Sequence, residues 1–89
     1  MTTYTIDLTQ VHSYFELHDH LMEVLPLPDY YGRNMDALWD SLHCWFDEPT
    51  TIEGRGIDSV PQDLQDTVQR LRRVLTDLHE EDGIIIVYR

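Results

Sequence analysis

Apolar and polar residues alternate from Thr3 to Leu8 (T-Y-T-I-D-L), with β-branched residues among them, and predict a short strand. From Val11 to Leu25 the spacing becomes helical. Tyr14, Leu17 or His18, Leu21, Met22 and Leu25 recur along one face, with Ser13 or Thr9 as candidate cap. Leu25-Pro26-Leu27-Pro28 ends that helix, because each proline pushes its predecessor out of the α region. Asp29 to Arg33 then reads as a loop in which Gly32 is free to take a positive φ. Asn34 is a good N-cap for a second helix from Met35 to about Trp45, and Pro49 closes the short segment after that helix.

The second half repeats the alternation of strand and helix. Thr50 to Glu53 is a weak strand, soon interrupted by Gly54 and Gly56. Pro61 suits the start of a last helix capped at Ser59 or nearby, and Leu64, Val68, Leu71, Leu75 and Leu78 form its apolar stripe. Asp82-Gly83 ends it, and Ile84 to Tyr88 has the unbroken apolar character of a strand buried on both faces. The order β-α-α-β-α-β, with helical crossovers, predicts an α/β fold. One domain over residues 1–89 would hold a small three-stranded parallel sheet covered by three to four helices.

Composition narrows the choice of partner. Seventeen Asp and Glu stand against six basic residues, all arginine, for a net charge of −11. Nucleic acid and anionic membrane carry the same sign and are excluded as direct partners; a basic protein is favoured. An apolar content of 42% is too rich for a disordered acidic tail. The single cysteine, Cys44, excludes an intrachain disulfide and suits a reducing cytoplasm. The N-terminal MTTYTIDLTQ lacks the basic and apolar regions of a signal peptide, and no apolar run approaches the roughly 20 residues that span a bilayer. The expectation is a soluble cytoplasmic monomer.

The chemistry concentrates between Tyr30 and Asp40. At about 100° per residue, Met35, Leu38, Leu42 and Trp45 share a core-facing sector, while Asp36, Asp40, His43 and Asp47 share another. Asp36 and Asp40 are a like-charge i, i+4 pair that costs a helix about 0.2–0.5 kcal/mol. Tyr30, Tyr31 and Trp39 flank them with a large amphipathic surface. Carboxylates ringed by aromatics describe the acidic half of an interface whose other half carries Arg, Lys or His. The plainer alternative is a solvated helix face, with Tyr30-Tyr31-Gly32 packed in a turn and Trp39 in the core.

Other chemistries find less support. Among His12, His18, His20, His43 and His79 there is no H-x3-H or paired cysteine, so neither a metal site nor a cofactor is expected. Asp36 and Asp40 as an acid/base pair would need an enclosed pocket, which a helix surface lacks. Cys44 beside His43 is adjacency in sequence, and neighbouring side chains on a helix diverge. Arg70, Arg72 and Arg73 pair more naturally with nearby acids than with nucleic acid. No enzyme is expected.

The stretch Leu27-Pro28-Asp29-Tyr30-Tyr31-Gly32-Arg33-Asn34-Met35-Asp36-Ala37-Leu38-Trp39-Asp40-Ser41-Leu42, with Trp45 and Pro49 in step, closely resembles the signature of the barstar family, intracellular inhibitors of the ribonuclease barnase. Length and element order agree over the whole chain. The resemblance implies a barstar-like fold and inhibition of a basic, guanyl-preferring microbial ribonuclease in a 1:1 complex, with the loop and helix plugging its active site. By the same resemblance, Asp40 takes the place of an RNA phosphate before the enzyme's Arg and His side chains. Asp36 pairs with an arginine at the guanine-recognition end, and Tyr30 lies on the catalytic histidine. Gly32, Asn34, Met35 and Trp39 match contact or supporting positions, Trp45 and Phe46 match the far edge, and Tyr31 and His43, beside them in the chain, are counted with the partner-binding residues. Asp77 stands in for a late-helix glutamate, ahead of Glu80 or Glu81. The family has small residues where this chain has His43 and Cys44, a departure that bears on partner choice. A barstar-fold module directed at a different basic toxin or protein is the alternative.

Overall fold

The computed structural model describes residues 1–89. Strand β1 (Thr2–Asp7) is followed by helices α1 (Tyr14–Val24) and α2 (Met35–Leu42), then by strand β2 (Thr50–Arg55). A 3-10 turn at Gln62–Leu64 leads into helix α3 (Gln65–Asp82), and strand β3 (Ile85–Tyr88) closes the chain. The sheet has the order β1-β2-β3, and both neighbouring pairs are parallel. Thr2 faces Thr50 and Ile6 faces Gly54 across the first pair, while Ile52 faces Ile86 and Gly54 faces Tyr88 across the second. The expected α/β fold with a three-stranded parallel sheet is therefore observed, with three α-helices.

Strand alternation decides where the core lies. Ile52 and Ile86 are register partners and share one face of the sheet with Ile6, on which Ile6 and Ile52 are fully buried. Leu17 and Leu21 of α1, Leu38 and Leu42 of α2, and Leu71, Leu75 and Leu78 of α3 are likewise fully buried and complete one hydrophobic cluster. Thr3, Thr5 and Asp7 share the other face with Thr51, Glu53, Arg55, Ile85 and Val87, and none of them is buried. Here the expectation for the last strand needs correcting. β3 is an edge strand with Ile85 51% exposed, so its apolar run is not buried on both faces. Ile84, 3% exposed, sits in the core just before the strand begins. Tyr88 at the strand's end keeps its ring under the Arg72 guanidinium, 4.6 Å away.

Local signals place most element ends. The Ser13 hydroxyl accepts the Glu16 N–H at 3.1 Å and caps α1, and Glu16 in return accepts the His12 N–H at 2.8 Å. Gly83 takes the left-handed conformation (φ 72) beyond α3, and its N–H bonds the His79 carbonyl. Three boundaries differ from expectation. α2 stops at Leu42 instead of Trp45, because His43 is extended (ψ 127) and Cys44 turns to φ 59. β2 runs through Gly54, where any side chain would press within 3.1 Å of Ile57 and Tyr88. Ser59 does not cap the last helix; its N–H bonds Gly56 and Pro61 begins the turn before α3.

No helix is long and apolar enough to cross a membrane.

Candidate functional site

Residues 28–34 form a loop whose two tyrosines part company. The Tyr31 N–H closes a turn on the Pro28 carbonyl at 3.0 Å. Tyr31 then points inward, 6% exposed, while Tyr30 stands out, 89% exposed. The expectation that Tyr31 offers a contact surface is thus corrected: its ring is core, and its hydroxyl anchors the loop. That hydroxyl lies 2.8 Å from Nδ1 of the fully buried His18 and donates to the Asn34 carbonyl at 3.3 Å. Burial pushes the Tyr31 phenol well up, Tyr14 adding to the shift and Arg33 opposing it. Burial first, and the Arg33 charge second, hold the His18 imidazole below its usual range, so the loop is pinned by neutral partners.

The rest of the loop is held from α1. Arg33, not Gly32, takes the positive φ (54), so the expected freedom at Gly32 is not used. Gly32 serves by its smallness instead, since a Cβ there would meet the Ala37 Cβ at 3.3 Å. The Arg33 carbonyl accepts the Tyr14 hydroxyl at 2.5 Å; its guanidinium pairs with Asp19 at 2.5 Å and lies 4.7 Å over the Phe15 ring. Asn34 spends its amide internally. Oδ1 accepts the Ala37 N–H at 2.8 Å and Nδ2 donates to the Gly32 carbonyl at 3.2 Å, starting α2. Asn34 is therefore placed to shape the loop.

α2 emerges from this loop as a ridge between two grooves. The first, about 590 Å³, is lined by Pro26, Leu27, Pro28, Tyr30, Asp40, Ser41 and Trp45. The second, about 450 Å³, is lined by Met35, Asp36, Trp39, Arg70, Arg73, Val74 and Asp77. Asp36 and Asp40 are both exposed, and neither has a cationic side chain within ion-pair distance. The two carboxylates thus serve different grooves, Asp40 beside an aromatic and proline wall, Asp36 beside α3. Asp77, and not Glu80 or Glu81, shares the Asp36 groove. Arg70 and Arg73 line it too, which no sequence signal announced; Arg70 also pairs with Asp66 at 3.3 Å.

The far end departs most from expectation. Trp45, placed by helical projection in the core sector, is 60% exposed because the helix has already ended. That exposure makes it a wall of the first groove. Phe46 is half-buried, its ring 5.7 Å from Tyr4, and lines neither groove. Trp39 is half-buried and stacks on the His43 ring with centroids 4.4 Å apart and planes 16° from parallel. His43 and Cys44 do not diverge as helical neighbours would. With Cys44 outside the helix, Sγ lies 3.5 Å from His43 Nε2.

Open grooves around exposed carboxylates can receive cationic and aromatic side chains from a second protein. Comparison with known proteins agrees with this architecture. A curated relative from Bacillus subtilis (strain 168), named "Putative ribonuclease inhibitor YrdF", is 40% identical over 68 residues, covering 68% of this chain and 75% of its own. The family model described as Barstar (barnase inhibitor) matches residues 1–87, nearly the whole chain, and the protein belongs to the barstar family.

Proposed function

We propose that this protein inhibits a basic ribonuclease of the barnase type by occluding its active site, and has no catalytic activity of its own. The observation that carries this reading is the ridge of α2, where Asp36 and Asp40 stand exposed and unpaired between two grooves. A ribonuclease that holds RNA must present Arg, Lys or His where phosphates bind, and two carboxylates on a rigid helix can occupy such positions. Asp40 is the phosphate mimic, with Tyr30 and Trp45 closing around the cationic side chains it meets. Asp36, with Asp77 across the second groove, engages a further arginine. Tyr31, Gly32 and Asn34 hold the loop; Met35, Trp39 and His43 support the ridge, and Phe46 buttresses its end.

A long flexible loop would lose entropy on docking. This one is already tied to α1 through Tyr31 and Arg33 and to the start of α2 through Asn34, so less ordering is left to oppose binding. The complex is 1:1 and forms from a free monomeric domain in the cytoplasm. The test is to mix the chain with a panel of guanyl-preferring ribonucleases and follow RNA cleavage. Stoichiometric loss of cleavage with one of them supports the reading. Binding to a basic protein without effect on RNA cleavage would instead make this a barstar-fold module with another target.

A further inference from the structure

Outside both grooves, the end of α2 meets the end of α3. The Cys44 N–H donates to Asp82 Oδ2 at 2.8 Å, a contact between residues 38 positions apart. His43 Nδ1 lies 3.1 Å from Asp82 Oδ1, and His43 Nε2 lies 3.5 Å from Cys44 Sγ. Ligand atoms of all three residues fall within 4.8 Å of one another. Asp82 is nearly buried, with 13% of its side chain exposed, whereas Cys44 is open to solvent.

We propose that His43, Cys44 and Asp82 form a binding site for a thiophilic divalent cation of the zinc class. Zinc bonds thiolate sulfur at about 2.3 Å and imidazole nitrogen at about 2.0–2.1 Å, which sets the two ligands about 3.6 Å apart at a tetrahedral angle. The observed Sγ to Nε2 separation of 3.5 Å matches that edge. The other ring nitrogen faces a carboxylate, which fixes the tautomer with Nδ1–H toward Asp82 and leaves the Nε2 lone pair for the metal. Trp39, stacked on the ring, resists its rotation. Cys44 and His43 are the direct ligands, Asp82 orients His43 and adds negative charge, and water completes the coordination. On binding, the Cys44 thiol gives its proton to the buffer, so thiolate and carboxylate together neutralise the cation. A thiolate and an imidazole select zinc and its neighbours over calcium or magnesium, which take oxygen ligands.

Co²⁺ serves as the probe in the intact chain, kept reduced with a phosphine. A thiolate-to-cobalt charge-transfer band should rise in the near ultraviolet, saturate at equimolar metal, and disappear on adding Zn²⁺. Cys44→Ser and Cys44→Gly should both lose the band while keeping the far-ultraviolet circular dichroism of the native fold; glycine accepts φ 59 freely. Asp82→Asn should raise the Co²⁺ midpoint roughly 10- to 100-fold. Absence of the band at millimolar Co²⁺, or its survival in both Cys44 variants, overturns the proposal. None of these readouts involves a ribonuclease, so the result stands apart from the proposed function.

Discussion

The Tyr31 hydroxyl sits 2.8 Å from Nδ1 of His18, a contact that ties the exposed loop to the buried face of α1. His18 is fully buried and its Nε2 has no partner, so the imidazole is retained as a neutral group at some cost. Stability should therefore depend on the charge state of this one ring. Its pKa is lowered in the fold, so between that value and the usual 6.5 the unfolded chain binds more protons than the native one. The contribution is fully present above 6.5 and is lost as pH falls toward the folded value. Urea unfolding between pH 7 and 5 should show stability falling with acid, with a ceiling near 1.4 kcal/mol per pH unit for one proton. His18→Asn, which keeps a polar atom near Nδ1, should lose that part of the slope; an unchanged slope would assign it to other groups.

Tyr30 and Tyr31 are neighbours in sequence with opposite surroundings, and substitution should separate them. Tyr31→Phe strips the partner from His18 and should lower unfolding stability by about 1–3 kcal/mol. Tyr30→Ala, at a position 89% exposed, should leave the melting temperature nearly unchanged while weakening inhibition. A drop in melting temperature for Tyr30→Ala would mark it as structural.

Asp40→Ala should weaken inhibition more than removal of any other single carboxylate. A docked cationic site left without its partner typically costs about 2–5 kcal/mol, roughly 30- to several-thousand-fold in affinity. Asp36→Ala should cost less, because Arg70 and Arg73 border its groove and already soften the local field. Inhibition constants for the two variants, measured at one ionic strength, decide the order.

Association with a basic enzyme should slow steeply as salt rises, since a net charge of −11 acts over distances that roughly 0.15 M salt screens to about 8 Å. Stopped-flow rates from low to high salt measure it. An on-rate indifferent to salt would contradict steering, though not occlusion.

Asn34→Ala removes the cap of α2 and the bond to the Gly32 carbonyl together. A loss of about 1 kcal/mol in unfolding stability is expected from the cap. Because the same side chain shapes the loop, affinity should fall with it, whereas Asn34→Asp, which keeps the cap acceptor, should recover most of the stability.

Local pattern carried much of this protein. Alternation marked β1, the stripe from Leu64 to Leu78 marked α3, and Asn34 and Ser13 marked helix starts, because caps and periodicity act within a turn or two of chain. The run from Tyr30 to Asp40 was legible for the same reason: one helix and its lead-in loop put Asp36 and Asp40 on a common ridge. What local pattern missed depends on which distant segment arrives alongside. The apolar run at Ile85 looked buried on both faces, yet only strand order makes β3 an edge with one open face. Trp45 left the core because α2 ended early, where Asp82 accepts the Cys44 N–H from the far end of α3. Tyr31 turned inward because His18, 13 positions away, awaited its hydroxyl. Helix and strand arise from neighbours along the chain, but burial and pairing arise from neighbours in space, and those are settled only when the layers pack.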